Sequence, residues 1–131
     1  MRYVLATAGL ALIAITAWAG QSPAADEAAT PEFYTTRVQP ILQGHCYPCH
    51  GGGNHHGGLQ MNTREQFLKG GHHGPVIVPG DPDKSRLISL IRQVGKPHMP
   101  PSPRAKLSDD DIATIEHWIK AGAVMPDGGA K

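Results

Sequence analysis

Glycine and proline leave this chain few windows for regular structure. There are 16 glycines and 12 prolines in 131 residues, and they cluster. Residues 51–58 ("GGGNHHGG") hold five glycines in eight positions. Residues 70–80 ("GGHHGPVIVPG") and 96–106 ("KPHMPPSPRAK") repeat the theme, the second with four prolines. Glycine spreads over backbone space and proline lacks a donor, so these tracts read as loops. Only Val76, Ile77 and Val78 suggest a brief extended, buried stretch within them.

The windows between read as helices. Thr30-Pro31-Glu32 combines a hydroxyl cap, proline at the first position and an acid in the first turn. Tyr34, Val38, Ile41 and Leu42 follow as a helical stripe. Pro40 sits inside it and removes one backbone bond. The spacing predicts a kinked helix or two short pieces ending near Gly44. Thr63 is placed to cap a short helix running to Lys69. Asp81-Pro82 predicts a helix start, with Leu87, Ile88, Leu90, Ile91 and Val94 as its apolar residues and Gly95 as its end. Ser108 with three following aspartates predicts a last helix, buried through Ile112, Ile115, Trp118 and Ile119 and closed by Gly122. The fold class is therefore all-α: three main helices, a short one, long loops and no convincing sheet. A domain this small has a thin core and tends to need a staple.

Residues 1–25 differ in kind. Arg2 opens a short positive start, and an apolar run of small residues follows from Val4 to Ala19. Ala17-Trp18-Ala19 and Pro23-Ala24-Ala25 both offer small-residue cleavage sites. This is the pattern of a secretory signal peptide. The expected organisation is a signal peptide over 1–25, a linker over 26–31, one domain over 32–127 and a flexible tail over 128–131. Lys and Arg number 12 against 11 Asp and Glu. Removing 1–25 takes away Arg2 and no acid, leaving 11 against 11. With no basic run, nothing asks for nucleic acid.

Both cysteines of the chain fall in "HCYPCH", residues 45–50. Four fates compete for them. A disulfide suits an exported chain but would close a tiny loop with little gain. A thiol redox motif shares the spacing, yet no βαβ pattern surrounds it. Zinc would need two more ligands, which His55, His56, His72 and His73 are able to supply. The fourth fate is covalent haem attachment, and it leads. Two thiols about one helical turn apart add to the two vinyl groups, and the next residue falls under the iron. Cys46 and Cys49 would form the thioethers and His50 the proximal ligand. For the distal position Met99 is the first choice. It precedes Pro100-Pro101, which stiffens the loop and spares a weak sulfur ligand much of its ordering cost. His98, Met61 or an open position remain alternatives.

At "VQPILQGHCYPCHG", "GGLQMNTREQFLKGG", "VPGDPDKSRLISLI", "MPP" and "LSDDDIATIEHWIKAGA" the sequence resembles the cytochrome c superfamily. In detail it resembles the small monohaem modules of planctomycete type. The likeness runs roughly from Glu32 to Pro126. It implies a class I cytochrome c-like fold around one covalently bound haem c, with first and last helices packed together. Val38, Ile41 and Leu42 would then face Ile115, Trp118 and Ile119. It implies iron ligation by His50 and Met99, and one-electron transfer without catalysis. A peroxidase-like or bis-His haem protein is the alternative if Met99 is not the ligand. Leu59, Phe67, Val76, Ile77, Leu87, Ile91 and Trp118 are candidate haem walls, and Arg104 is a candidate partner for a haem carboxylate. His45 and His117 are expected at a helix surface or partly buried. The paired histidines depart from the family pattern; His55, His56, His72 and His73 are candidates for weak copper or zinc binding. The partners expected are redox proteins, and the location is a bacterial periplasm or an otherwise exported one. After signal cleavage, contact with a membrane is peripheral at most.

Overall fold

The computed structural model describes residues 26–129. The expected signal peptide lies outside the described residues. Among the described residues the protein is helical and has no strand; Gly71 and Gly74 form an isolated bridge. No helix among them is long and apolar enough to cross a membrane.

The first helical run is continuous from Pro31 to His45 but changes character on the way. α1 (Pro31–Phe33) is capped by Thr30, whose Oγ1 accepts from the Phe33 N–H at 3.2 Å. A π-helical stretch, Tyr34–Val38, follows, then α2 (Gln39–His45). Pro40 accounts for the wide turn. Its ring crowds the carbonyl four residues back, and it offers no N–H to that carbonyl. The backbone takes in one extra residue, and the Gln39 N–H reaches the Tyr34 carbonyl instead. The expected kink is thus a π-turn, and the run ends at His45. Cys46 keeps helical angles and leads into α3 (Tyr47–His50).

α4 (Arg64–Lys69) starts where expected. Thr63 accepts from the Gln66 N–H while the Gln66 side chain accepts from the Thr63 N–H, a closed capping box. α5 (Arg86–Ile91) departs from expectation at both ends. Asp81 does cap, but it caps the turn Pro82–Lys84, accepting from the Lys84 N–H at 3.1 Å. Ser85 then breaks into an extended conformation before the helix begins. The reason is tertiary. Ser85 is buried, and its hydroxyl accepts from the Val78 N–H at 2.9 Å and donates to the Asp81 carbonyl at 2.8 Å. The Val76–Val78 stretch needs a partner for its backbone, and Ser85 supplies it at the expense of a turn of helix. At the far end the helix stops before Val94, which is 70% exposed and not part of an apolar face.

α6 (Asp109–Lys120) is capped by Ser108, whose Oγ accepts from the Asp111 N–H at 3.1 Å. Its buried residues are Ile112, Ile115, Trp118 and Ile119. The chain leaves it with Arg64 donating to the Gly122 and Ala123 carbonyls, at 3.3 and 3.1 Å. A guanidinium on the last carbonyls suits the negative end of a helix.

Trp118 is the centre of the core. It is fully buried, and its ring lies 5.5 Å from those of both Tyr34 and Phe67. Its Nε1 donates to the Val124 carbonyl at 2.8 Å. The first helical run therefore meets the last helix through the π-turn. The segment expected as a linker also packs down. Ala28 is fully buried in a 3₁₀ turn, Glu27–Ala29, and Asp26 pairs with His117 across 2.9 Å. His117 stays exposed, its ring edge-on to Phe33. At the other end Gly129, expected in a flexible tail, is tucked beside Asn62, where a Cβ would meet the Asn62 carbonyl oxygen at 2.4 Å.

Candidate functional site

Helices α2 and α3 carry "HCYPCH" to a cleft that α5 and the proline-rich loop also line. Cys46, Cys49 and His50 line it, and so do Met99, Pro100 and Arg104. Leu59, Val76, Leu87 and Ile91 line it as apolar walls, as expected. The cleft holds about 1000 Å³ of space, part of it open to solvent.

The surroundings of His50 are built by local hydrogen bonds. His50 Nδ1 lies 3.3 Å from the Leu59 carbonyl, and a carbonyl can only accept, so Nδ1 carries the proton. That leaves the lone pair on Nε2 free for a metal. The His50 carbonyl in turn accepts from the Met61 N–H at 2.8 Å. The glycine loop 51–58 is thus pinned to His50 at its return. Gly51 is required there, since a Cβ would meet the Tyr47 side chain at 2.5 Å. Tyr47, inside the cysteine window, shares a 3.1 Å hydrogen bond with the buried hydroxyl of Tyr34.

The sulfur atoms are the chemical test of what the cleft fits. Both cysteines are unpaired. Burial, then the neighbouring Cys49, pushes the Cys46 thiol up to about 12. Such a setting favours an uncharged sulfur. A thioether is uncharged, whereas zinc requires thiolate. Among the described residues, moreover, no three His, Cys, Asp or Glu side chains are grouped to hold a metal ion. An apolar cleft lined by two cysteines, an imidazole with a free nitrogen and a thioether side chain fits a covalently attached haem.

Two methionines line the cleft, and their anchorage differs. Met61 is 1% exposed and tied through its backbone to His50 itself. Met99 is half-buried, and its N–H donates to the Leu90 carbonyl at 3.0 Å, which ties the loop to α5. His98, beside it, is exposed and does not line the cleft.

The structure redraws several roles. Phe67, Ile77 and Trp118 do not line the cleft. They are buried, and Trp118 and Phe67 belong to the aromatic core behind it. Leu90, Pro97 and Leu107 line it instead. His45, partly buried at the end of α2 as expected, also lines the cleft. Of the paired histidines, His56, His72 and His73 reach the cleft. His55 does not; its Nδ1 lies 3.0 Å from the Gly53 carbonyl. Arg86 joins Arg104 on the lining, and among the described residues neither makes an ion pair. Arg86 was legible only as the residue before the Leu87 stripe.

An all-helical domain with Cys-x-x-Cys-His on an apolar cleft has the character of a c-type cytochrome. Residues 46–103 match the protein-family model described as planctomycete cytochrome C. The match supports a planctomycete-type cytochrome c domain over these residues, and such a domain implies covalently bound haem c and haem-based electron transfer. The match begins at Cys46 and ends at Pro103, so α2 and α6 lie outside it. Neither the curated proteins nor the solved structures searched give a match to the chain.

Proposed function

We propose that the protein is an exported monohaem electron carrier with no catalysis of its own. The observation that carries this reading is that the cysteine window and Met99, about fifty residues apart in the chain, line the same cleft. A haem held there would supply one-electron chemistry, and ligation by His50 and Met99 would favour its ferrous form. Cys46 and Cys49 hold the group covalently. His50, oriented by the Leu59 carbonyl, presents Nε2 as the proximal ligand. Met99, held by the Leu90 bond and the following prolines, would supply the second ligand. Met61 serves as packing, since its backbone sits on His50. Leu59, Val76, Leu87 and Ile91 exclude water and keep the site apolar, which also disfavours extra charge. Arg104, and with it Arg86, would face the haem carboxylates. Export rests on the apolar leader of residues 1–25.

The test is spectroscopic. A pyridine haemochrome assay on protein produced with its leader should give one c-type haem per chain. The oxidised protein should show the weak far-red band of an iron–methionine bond. A high-spin ferric spectrum without that band would move the reading to a reactive haem. Absence of haem would end it.

A further inference from the structure

The carbonyl that aims His50 belongs to a segment with little stiffness of its own. Leu59 follows Gly57 and Gly58, whose φ angles are 65° and 73°. Glycine has more conformational freedom to lose than any other residue. Yet the Leu59 oxygen has to stay within reach of His50 Nδ1, 3.3 Å away. The segment closes one turn by itself: the Gly58 N–H donates to the His55 carbonyl at 2.8 Å and the Leu59 N–H to the His56 carbonyl at 3.3 Å. A second turn, residues 71–74, lies against it. The His72 N–H donates to the Gly57 carbonyl at 2.8 Å. Gly71 packs on the same backbone, where a Cβ would run into the Gly57 carbonyl oxygen and come to 3.0 Å from the Leu59 nitrogen. The His72 ring covers Gly58, where a Cβ would meet its Cδ2 at 2.6 Å. The second turn is itself closed and anchored. Gly71 and Gly74 exchange N–H to carbonyl bonds of 3.2 and 3.0 Å, and the Gly70 N–H reaches the Gln66 carbonyl of α4 at 2.8 Å.

We propose that the 71–74 turn is a strap that positions His50, acting through Gly71 and the His72 N–H. It holds the Gly57–Leu59 backbone in place and so keeps the Leu59 carbonyl on the imidazole. The inference rests on reading His50 as the iron ligand. A hydrogen bond accepted from Nδ1–H fixes the rotation of the ring and raises the basicity of Nε2. A more basic ligand favours ferric iron over ferrous. The strap would thus temper the preference for the ferrous form that Met99 brings. On this account His72 matters for its backbone rather than for its imidazole.

The experiment compares His72→Pro with His72→Ala in the haem-loaded protein. Both remove the imidazole, and only proline removes the N–H. His72 is the second residue of a four-residue turn closed by the Gly74 N–H on the Gly71 carbonyl, a place where proline fits. Two quantities are read: the exchange of the His50 Nδ1 proton with solvent, followed by ¹⁵N NMR of the ferrous protein, and the reduction potential. Exchange should be about fivefold faster in H72P than in H72A, and the ferrous-to-ferric ratio at one ambient potential should be about two- to fivefold higher. Gly71→Ala, which displaces the same backbone, should move both quantities the same way from the wild type, and it keeps the test open if H72P takes up no haem. Gly53→Ala, in open space, should move neither. Equal values in H72P and H72A, or in Gly71→Ala and the wild type, would overturn the inference while leaving His50 as the ligand. A wild-type chain that takes up no haem would sink the carrier reading, and this inference with it.

Discussion

Ser85 should be worth more to this protein than a serine at a helix edge usually is. Its hydroxyl holds the Val78 N–H at 2.9 Å and the Asp81 carbonyl at 2.8 Å, and the residue is 1% exposed. Changing it to Ala removes one oxygen, leaves little cavity and strands both partners. A neutral hydrogen bond contributes about 1 kcal/mol net, and a buried group left unpaired costs about 1–3 kcal/mol. Val78 is partly exposed, so water recovers some of its loss. The sum for Ser85→Ala is about 2 kcal/mol. For a domain near 100 residues that is a fall of roughly 8–10 °C in Tm. The control is Ser89→Ala, whose exposed hydroxyl donates to the Arg86 carbonyl at 2.8 Å and should cost under about 0.5 kcal/mol. Guanidinium unfolding of the haem-loaded proteins, followed by tryptophan fluorescence and by the haem band, gives both values. The haem band should respond too, since the Val76 carbonyl accepts from the Leu87 N–H at 2.8 Å and both side chains line the cleft. If the two serine variants differ by less than about 0.5 kcal/mol, the hydroxyl is not what sets the start of α5.

Three more outcomes are expected. Met99→Ala should keep one haem per chain but lose the far-red band, turn the ferric form high-spin and lower the potential; an unchanged spectrum would return Met61 to consideration. Trp118→Ala should cost about 3–5 kcal/mol, enough to unfold a marginal domain, because it empties the ring packing against Tyr34 and Phe67 and leaves the Val124 carbonyl unpaired; circular dichroism at 25 °C checks it. The hydrogen bond from Lys84 holds the Asp81 carboxyl below the ordinary carboxylate range. A depressed folded pKa contributes stability above the unfolded value, near 3.9, and that contribution fades as pH falls through the folded one. Urea midpoints of the wild type and Asp81→Asn should therefore differ at pH 6 and converge in acid; a gap that persists at pH 2.5 would refute the link.

Some of this was legible in the sequence because it depends on neighbours in the chain. The Thr63 and Ser108 caps and the Cys46, Cys49, His50 window are local patterns, and each stands where the spacing put it. Asp81-Pro82 is just as local, yet it misled. The competing demand came from Val78, seven residues before Ser85, and chain pattern carries no record of such a tie. Trp118 misled for a related reason. A buried aromatic in a haem protein can lie on the cofactor or behind it, and only the packing of Tyr34 and Phe67 decides. His45 and Arg86 were invisible for the opposite reason. Nothing local marks a polar residue as cleft-facing; the α2 and α5 rotations do that.

The loop between Gly51 and Gly58 has a consequence for engineering. Both of its returns are tied to one residue, through the Leu59 carbonyl to the His50 ring and through the Met61 N–H to the His50 carbonyl. The two bonds that hold His50 are made after the loop, at Leu59 and Met61. Gly53 has open space around it. Lengthening the loop there, even doubling it, adds a closure cost of only about 0.6 kcal/mol. A peptide tag, a surface-attachment sequence or a photosensitiser site could be written into that position, a few residues from the haem edge, without retuning the iron.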